Sequence, residues 1–193
     1  MSKYLRKMEQ KRSKEDYAIV LDFLPNGYAF DNRPSHRKTA IVQALGKTHF
    51  TLLELVPKKG IFLQPYEVVY IGEGKREQIH HINGSLSMEK LTHSAGQELD
   101  FVIKDIVEKN QDPFIAFFNQ AGPLSTRRHM LELIPGVGKK HMWEILEERK
   151  KEVFKSFDDI KKRVKLMPDP EKGIIKRIKL ELEGADKRRI FVR

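Results

Sequence analysis

The period of the apolar positions changes once along this chain, near residue 123. Before it, apolar residues come in short runs closed by turn residues. Tyr17-Ala-Ile-Val-Leu-Asp-Phe-Leu24 is β-rich and is stopped by Pro25-Asn26-Gly27. Thr39 to Leu45 and His49 to Val56 read as strands joined through Gly46-Lys47, a two-residue hairpin link, and Tyr66 to Ile71 is a fourth strand. The fifth falls between Glu77 and Ile82 or at Phe114 to Phe118. Short strands at this spacing predict a small closed sheet, which leaves no bare edge. Between them lies one helix: Ser94-Ala-Gly-Gln97 has capping-box spacing, and Leu99, Val102, Ile103, Ile106 and Val107 share a face. Asn110-Gln-Asp-Pro113 ends it, Phe114 to Phe118 returns as a strand, and Ala121-Gly-Pro123 marks a domain boundary.

After that boundary the spacing is helical. A helix over Thr126 to Leu133, capped by Ser125 or Thr126, precedes one from Lys139 to about Val153. Ser156 caps a third, with Ile160 and Val164 on one face. Asp169 and Pro170 fit the N-cap and first position of a fourth, which Ile174, Ile175, Ile178 and Leu182 carry to Gly184, a natural C-cap. Arg188 to Arg193 is β-like and suited to docking on the sheet. The organisation expected is a basic lead-in (1–16), a β domain with a helix (17–122), an all-α domain (123–186) and a β-like tail (187–193). The fold class is α+β.

The chemistry concentrates where two helices meet, at Leu133-Ile-Pro-Gly-Val-Gly-Lys-Lys140. Two glycines one residue apart let the backbone turn tightly and approach a ligand closely. The next helix starts at once, so its first N–H groups are unpaired and lie at the positive end of the dipole. Such a turn suits a phosphate, with Lys139 and Lys140 beside it and Arg127 and Arg128 nearby. The pattern resembles the helix-hairpin-helix motif, an apolar residue followed by Pro-Gly-apolar-Gly and a helix. That motif binds nucleic-acid backbone largely without regard to sequence. Met142 departs from it, where a small residue is usual. The spacing of 126–153 and 157–183 resembles a tandem pair of such motifs. In the second, the glycines are gone and Pro168 and Pro170 remove two backbone donors, so the first turn (Pro135, Gly136, Val137, Gly138, Lys139, Lys140) is expected to bind and the second to brace it. The competing reading is a corner used only for packing.

Charge supports a polyanionic partner. The net charge is +10, and residues 125–193 hold 20 Lys/Arg against 12 Asp/Glu, so most of the excess travels with the turn. In the β domain, Tyr28 and Phe30 stand near Arg33, Arg37 and Lys38, and Tyr66 and Tyr70 near Lys75 and Arg76. Aromatic residues in a basic groove can stack bases, although alternation buries some of them. Other chemistries find little support. Cysteine is absent, which excludes disulfides and thiol catalysis, and no apolar run approaches a membrane span. The seven histidines lack metal-ligand spacing; His80 and His81 point to opposite faces if they lie in a strand. Glu54 with Lys58 and Lys59 lacks a partner acid for a nuclease, and Gly72-Glu-Gly-Lys75 is only a fragment of a nucleotide loop. No cofactor, no membrane partner and a cytoplasmic location are expected.

Asp16 to Pro25, Phe50 to Pro57, Val69-Tyr-Ile-Gly72, Phe117-Phe-Asn119 and Leu131 to Lys140 together resemble an archaeal family catalogued as domain of unknown function 655. The resemblance implies an OB-like β-barrel followed by a helix-hairpin-helix region, in a protein predicted to bind nucleotides or RNA, and it carries no catalytic residues. In related hairpins the turn carbonyls, here those of Ile134 and Gly136, also hold a monovalent cation bridging to phosphate. The function expected is non-catalytic binding of RNA or DNA. A protein assembly module is the alternative, and a nucleic-acid-processing enzyme the third reading. An exposed apolar patch at Phe154, Phe157 and Ile160 would favour assembly.

Overall fold

The computed structural model describes residues 15–29, 34 and 38–193. Phe30, Arg33, Arg37 and the lead-in to residue 14 lie outside them. The fold is mixed α+β, and the described chain divides into two compact units, one reaching to Val102 with Val192 and Arg193 added, the other spanning Ile103–Phe191.

The first unit is a curled antiparallel sheet of β1 (Tyr17–Leu24), β2 (Ile41–Gly46), β3 (Leu52–Pro57), β4 (Val68–Tyr70) and β5 (Ile79–Ser85), in the order β4-β1-β2-β3-β5. The fifth strand is thus the one after Glu77. The expected hydrogen-bonded closure is not made: among the described residues β4 and β5 are edges and do not pair with each other. Alternation sends Ala18, Val20, Val42, Ala44, Leu53 and Leu55 to one core. All six positions of β2 are buried, so its other face is covered too. There Gln43 is fully enclosed, and its amide is satisfied at both ends. Nε2 donates to the Lys90 carbonyl (2.9 Å) and the Tyr28 hydroxyl (3.1 Å), while Oε1 accepts from the Thr92 N–H (2.8 Å).

The β2–β3 link is longer than the two residues expected, with Phe50 at φ +51°. Its N–H groups are satisfied from a distance. The Glu15 carboxylate accepts from Thr48 (2.8 Å) and His49 (2.7 Å), and Gly46 leaves room for it. At the end of the chain, the Arg193 N–H donates to the His49 carbonyl (3.2 Å). His80 and His81 correct another expectation. Their Nδ1 atoms stand 2.7 Å apart, because a register shift between Val56 and Pro57 leaves His80 as an extra residue and breaks alternation there.

Helix α1 (His93–Lys109) belongs to the first unit as far as Val102. Its cap is Thr92, not Ser94: the Thr92 hydroxyl accepts from the Ala95 N–H (3.0 Å) and donates to Asp22 (2.6 Å). Helix α2 (Asp112–Gln120) replaces the strand expected at Phe114 to Phe118. Pro113 opens a helix instead of ending one, since its missing N–H is not needed in the first turn. Phe114, Ile115 and Phe118 then fall on one buried face.

The helix expected over 126–133 is also absent. Pro123–Ser125 (β6) pairs with Arg128–His129 (β7), and Met130–Leu133 forms a single 3-10 turn. The cause is local. Ile134 precedes a proline and is held extended (ψ 121°), so a helix must stop by Leu133. The β7 pairing uses the residues up to His129, leaving room for one turn, which a His129–Glu132 capping box closes. Helices α3 (Lys139–Lys151), α4 (Phe157–Arg163) and α5 (Pro170–Leu182) follow as expected, with Ser156 and Asp169 as caps and Gly184 at φ +70°. No helix among the described residues is long and apolar enough to cross a membrane.

Candidate functional site

Residues 134–140 form a turn followed at once by a helix. The Val137 N–H donates to the Ile134 carbonyl (3.0 Å), with Pro135 second and Gly136 third at φ +92°. Proline presets the second position and only glycine enters the third cheaply, so this is a type II turn dictated by Pro-Gly. Ile134 and Val137 are buried and anchor it, whereas Gly136, Gly138, Lys139 and Lys140 are exposed.

Gly138 is the N-cap of α3 and offers no side-chain acceptor; a Cβ placed there would meet nothing within 4 Å. The first turn of α3 contains no acid and begins with two lysines. Both choices oppose ordinary helix design, which puts an acceptor at the cap and negative charge beside it. Farther along α3 the rules are kept: Lys150 pairs with Glu147 (2.8 Å) and Lys151 with Glu148 (2.6 Å). Lys139 and Lys140 enter no ion pair among the described residues.

The turn before α5 is built the opposite way. Asp169 accepts from the N–H groups of Glu171 (3.0 Å) and Lys172 (3.3 Å), Pro170 occupies the first helical position, and Lys161 pairs with Asp169 at 3.2 Å. Partial burial opposes ionisation of Asp169, but the Lys172 N–H and the Lys161 ammonium outweigh it and hold the carboxyl below its usual range. This helix start already contains its anion. It also buttresses the first turn, since a Cβ on Gly136 would stand 3.1 Å from Pro168 and one on Gly173 would stand 2.9 Å from Ile134.

Arg127 and Arg128 are exposed at the β6–β7 turn, and the positive charge of Arg128 also acts on Asp186. The Gly136 carbonyl faces His141 Nδ1 at 3.3 Å, and the Ile134 carbonyl accepts the turn bond, so both oxygens suggested for a cation already have neighbours. Phe154, Phe157 and Ile160 are buried. The apolar patch that would favour assembly is therefore not exposed there.

Two arginines that sequence reading did not single out hold this unit together. The Arg149 guanidinium donates to the carbonyls of Phe118 (3.0 Å) and Ala121 (2.9 Å), placing a cation at the end of α2. Arg177 is buried in a network that reaches the last residues of the unit. It donates to Glu181 (2.7 Å) and Asp186 (2.9 Å), and Glu181 accepts from the Ile190 and Phe191 N–H groups (2.9 Å each). The available signal was Arg177 with Glu181 four residues on, set between Ile174 and Ile178 on a face otherwise apolar.

Of the residues expected to share a site in the first unit, Tyr28, Lys38, Lys75 and Arg76 are described. Tyr28 is half-buried and donates to Glu54 (2.5 Å) on the wall of a pocket of about 670 Å³. Lys38, Lys75 and Arg76 do not line that pocket. Arg76 Nε closes its own turn on the Gly72 carbonyl (2.9 Å), while Lys75 is exposed. Burial, and then the bond to Glu54, push the Tyr28 hydroxyl up to about 12. The fold favours the neutral phenol, so the contribution is whole below the unfolded value near 10 and is lost as pH rises toward about 12. An ultraviolet titration of phenolate should lose its latest component in Tyr28→Phe; a titration curve whose late part loses no amplitude on that substitution would refute the assignment.

Comparison with known proteins gives three matches. The family model described as "Protein of unknown function (DUF655)" matches residues 14–193. "Uncharacterized protein MJ0038" of Methanocaldococcus jannaschii is 41% identical over 189 residues, covering 97% of this chain and 84% of that one. The crystal structure of Af1531 from Archaeoglobus fulgidus, also assigned to DUF655, has a TM-score of 0.83 at 45% identity, over 93% of this chain and 100% of that one.

Proposed function

This chain belongs to the DUF655 family, and we propose that it is a non-catalytic nucleic-acid-binding protein that grips a backbone phosphate at Gly136–Lys140. One observation carries the reading. Of the two helix starts packed together here, that of α5 is filled by its own carboxylate, while that of α3 has a glycine cap, no acid and two unpaired lysines. Charges that destabilise a helix start by a few tenths of a kcal/mol when alone become favourable when an anion sits among them. A local breach of the rules beside a rule-abiding copy is where function is expected.

In this reading the two turns are a tandem helix-hairpin-helix unit whose first leading helix has shrunk to a 3-10 turn. The sheet is an OB-like barrel left open at one seam. Arg127, Arg128, Lys139 and Lys140 add long-range attraction to RNA or DNA without reading its sequence. Assembly through the second hairpin is less favoured, because its aromatic residues are buried.

Binding to single- and double-stranded DNA and RNA, measured against salt, tests the proposal. If these four cations meet phosphates, the logarithm of affinity should fall with the logarithm of salt at a slope of roughly 3 to 4. Affinity indifferent to salt would refute it.

A further inference from the structure

Antiparallel register places Asp22 opposite Gln43, Gln43 opposite Glu54 and Glu54 opposite Gly84, a polar row across β1, β2, β3 and β5. Directly opposite residues share a face of the sheet. Asp22 and Gln43 are used internally, by Thr92, Lys90 and Tyr28. Glu54 is different. Its two oxygens accept from the Tyr28 hydroxyl and the Asn83 amide, both neutral donors, and it has no ion-pair partner among the described residues. The next position in the row is a glycine with no side chain to cover it, and a Cβ on Gly84 would meet nothing within 4 Å. That missing side chain opens the pocket of about 670 Å³ beside Glu54, a size suited to a small molecule or a single nucleotide.

The lining defines the ligand. Leu24, Leu86 and Leu91 make it largely apolar, and Tyr28 adds an aromatic wall, which suits a flat ring. Among the described residues its charged groups are Glu54, Glu89 and Lys90, two acids against one base, so these residues offer phosphate no positive excess. Each Glu54 oxygen, already holding one donor, keeps a lone pair for another. A ligand with two adjacent N–H groups on the edge of a planar ring would complete it. A fully charged amine would have to leave water for walls that are mostly apolar.

We propose that this pocket binds an unpaired guanine base, its N1–H and N2–H groups donating to the Glu54 carboxylate. Unpaired bases are read in this way, by edge bonds combined with an aromatic or apolar wall. The site goes beyond the phosphate grip and does not depend on it; the test uses nucleosides, which have no phosphate, so either idea can fail without the other.

Calorimetric titration of the full chain should show guanosine binding at least about tenfold more tightly than inosine, which lacks the second N–H, and than adenosine. Glu54→Gln should abolish that preference. Gly84→Val should remove binding while the unfolding midpoint holds or rises, because a β-branched residue suits an open strand position. This variant keeps the test valid if Glu54→Gln perturbs the fold. Equal binding of guanosine and inosine, tighter binding of agmatine than of guanosine, no binding at millimolar nucleoside, or full binding by Gly84→Val would each overturn the proposal.

Discussion

Arg177→Ala should destabilise the second unit by about 3–5 kcal/mol, the range for removing one partner of a buried ion pair. Arg177 is 3% exposed and Glu181 is fully enclosed, so without the guanidinium a carboxylate is left buried beside two peptide N–H groups that do not neutralise it. Replacing both, as Arg177→Met with Glu181→Leu, should cost less than the single change, because no charge is then stranded. The Ile190 and Phe191 N–H groups lose their acceptor, so some loss remains. Urea denaturation of the three proteins decides the matter. A single variant within about 1 kcal/mol of the parent would show that the network contributes little.

Gly138→Asp should strengthen the fold and weaken nucleic-acid binding. The position has extended backbone at φ −88° and open space for a side chain, so aspartate fits without strain. Its carboxylate would cap α3 as Asp169 caps α5, worth about 0.5–1 kcal/mol together with relief of Lys139 and Lys140. It would also occupy the place assigned to phosphate. Losing one hydrogen bond to a charged group, about 1.5–3 kcal/mol, corresponds to roughly 10- to 100-fold in affinity. The opposite signs make the experiment diagnostic, since a misfolded variant would lose both. Thermal melts and filter binding on one preparation suffice, and unchanged affinity in the stabilised variant would remove α3 from the interface. Gly136 is a poorer choice, because any side chain there meets Pro168 and a left-handed backbone.

Elements set by nearby residues were legible. Strand β1 has the predicted bounds, Ser156 and Asp169 cap the helices assigned to them, and Gly184 takes the left-handed conformation expected past α5. The family was legible as well, from segments spread over most of the chain. Two errors came from local signals with two meanings. Pro113 starts a helix as well as it ends one, and the apolar run after it suits either period. Thr126 to Leu133 has helical spacing but is claimed by pairing with β6 and halted by Pro135. What remained hidden depends on partners distant in sequence. Nothing around Gln43 shows that Lys90 and Thr92 will satisfy it, and nothing around Glu15 points to Thr48 and His49. The candidate site divides likewise. The glycine turn and its lysines are a local pattern, whereas the pocket beside Glu54 exists only once the register sets it opposite Gly84.

The placement of the last eight residues bears on how the protein is made. Asp186, Ile190 and Phe191 complete the second unit, and Val192 and Arg193 complete the first. A chain emerging from the ribosome ordinarily folds unit by unit from its N-terminal end. Here the second unit lacks parts until residue 191 has been added, and the first unit until residue 193 has. The first unit, whose strands are made early, therefore cannot be finished before the helices of the second have been made.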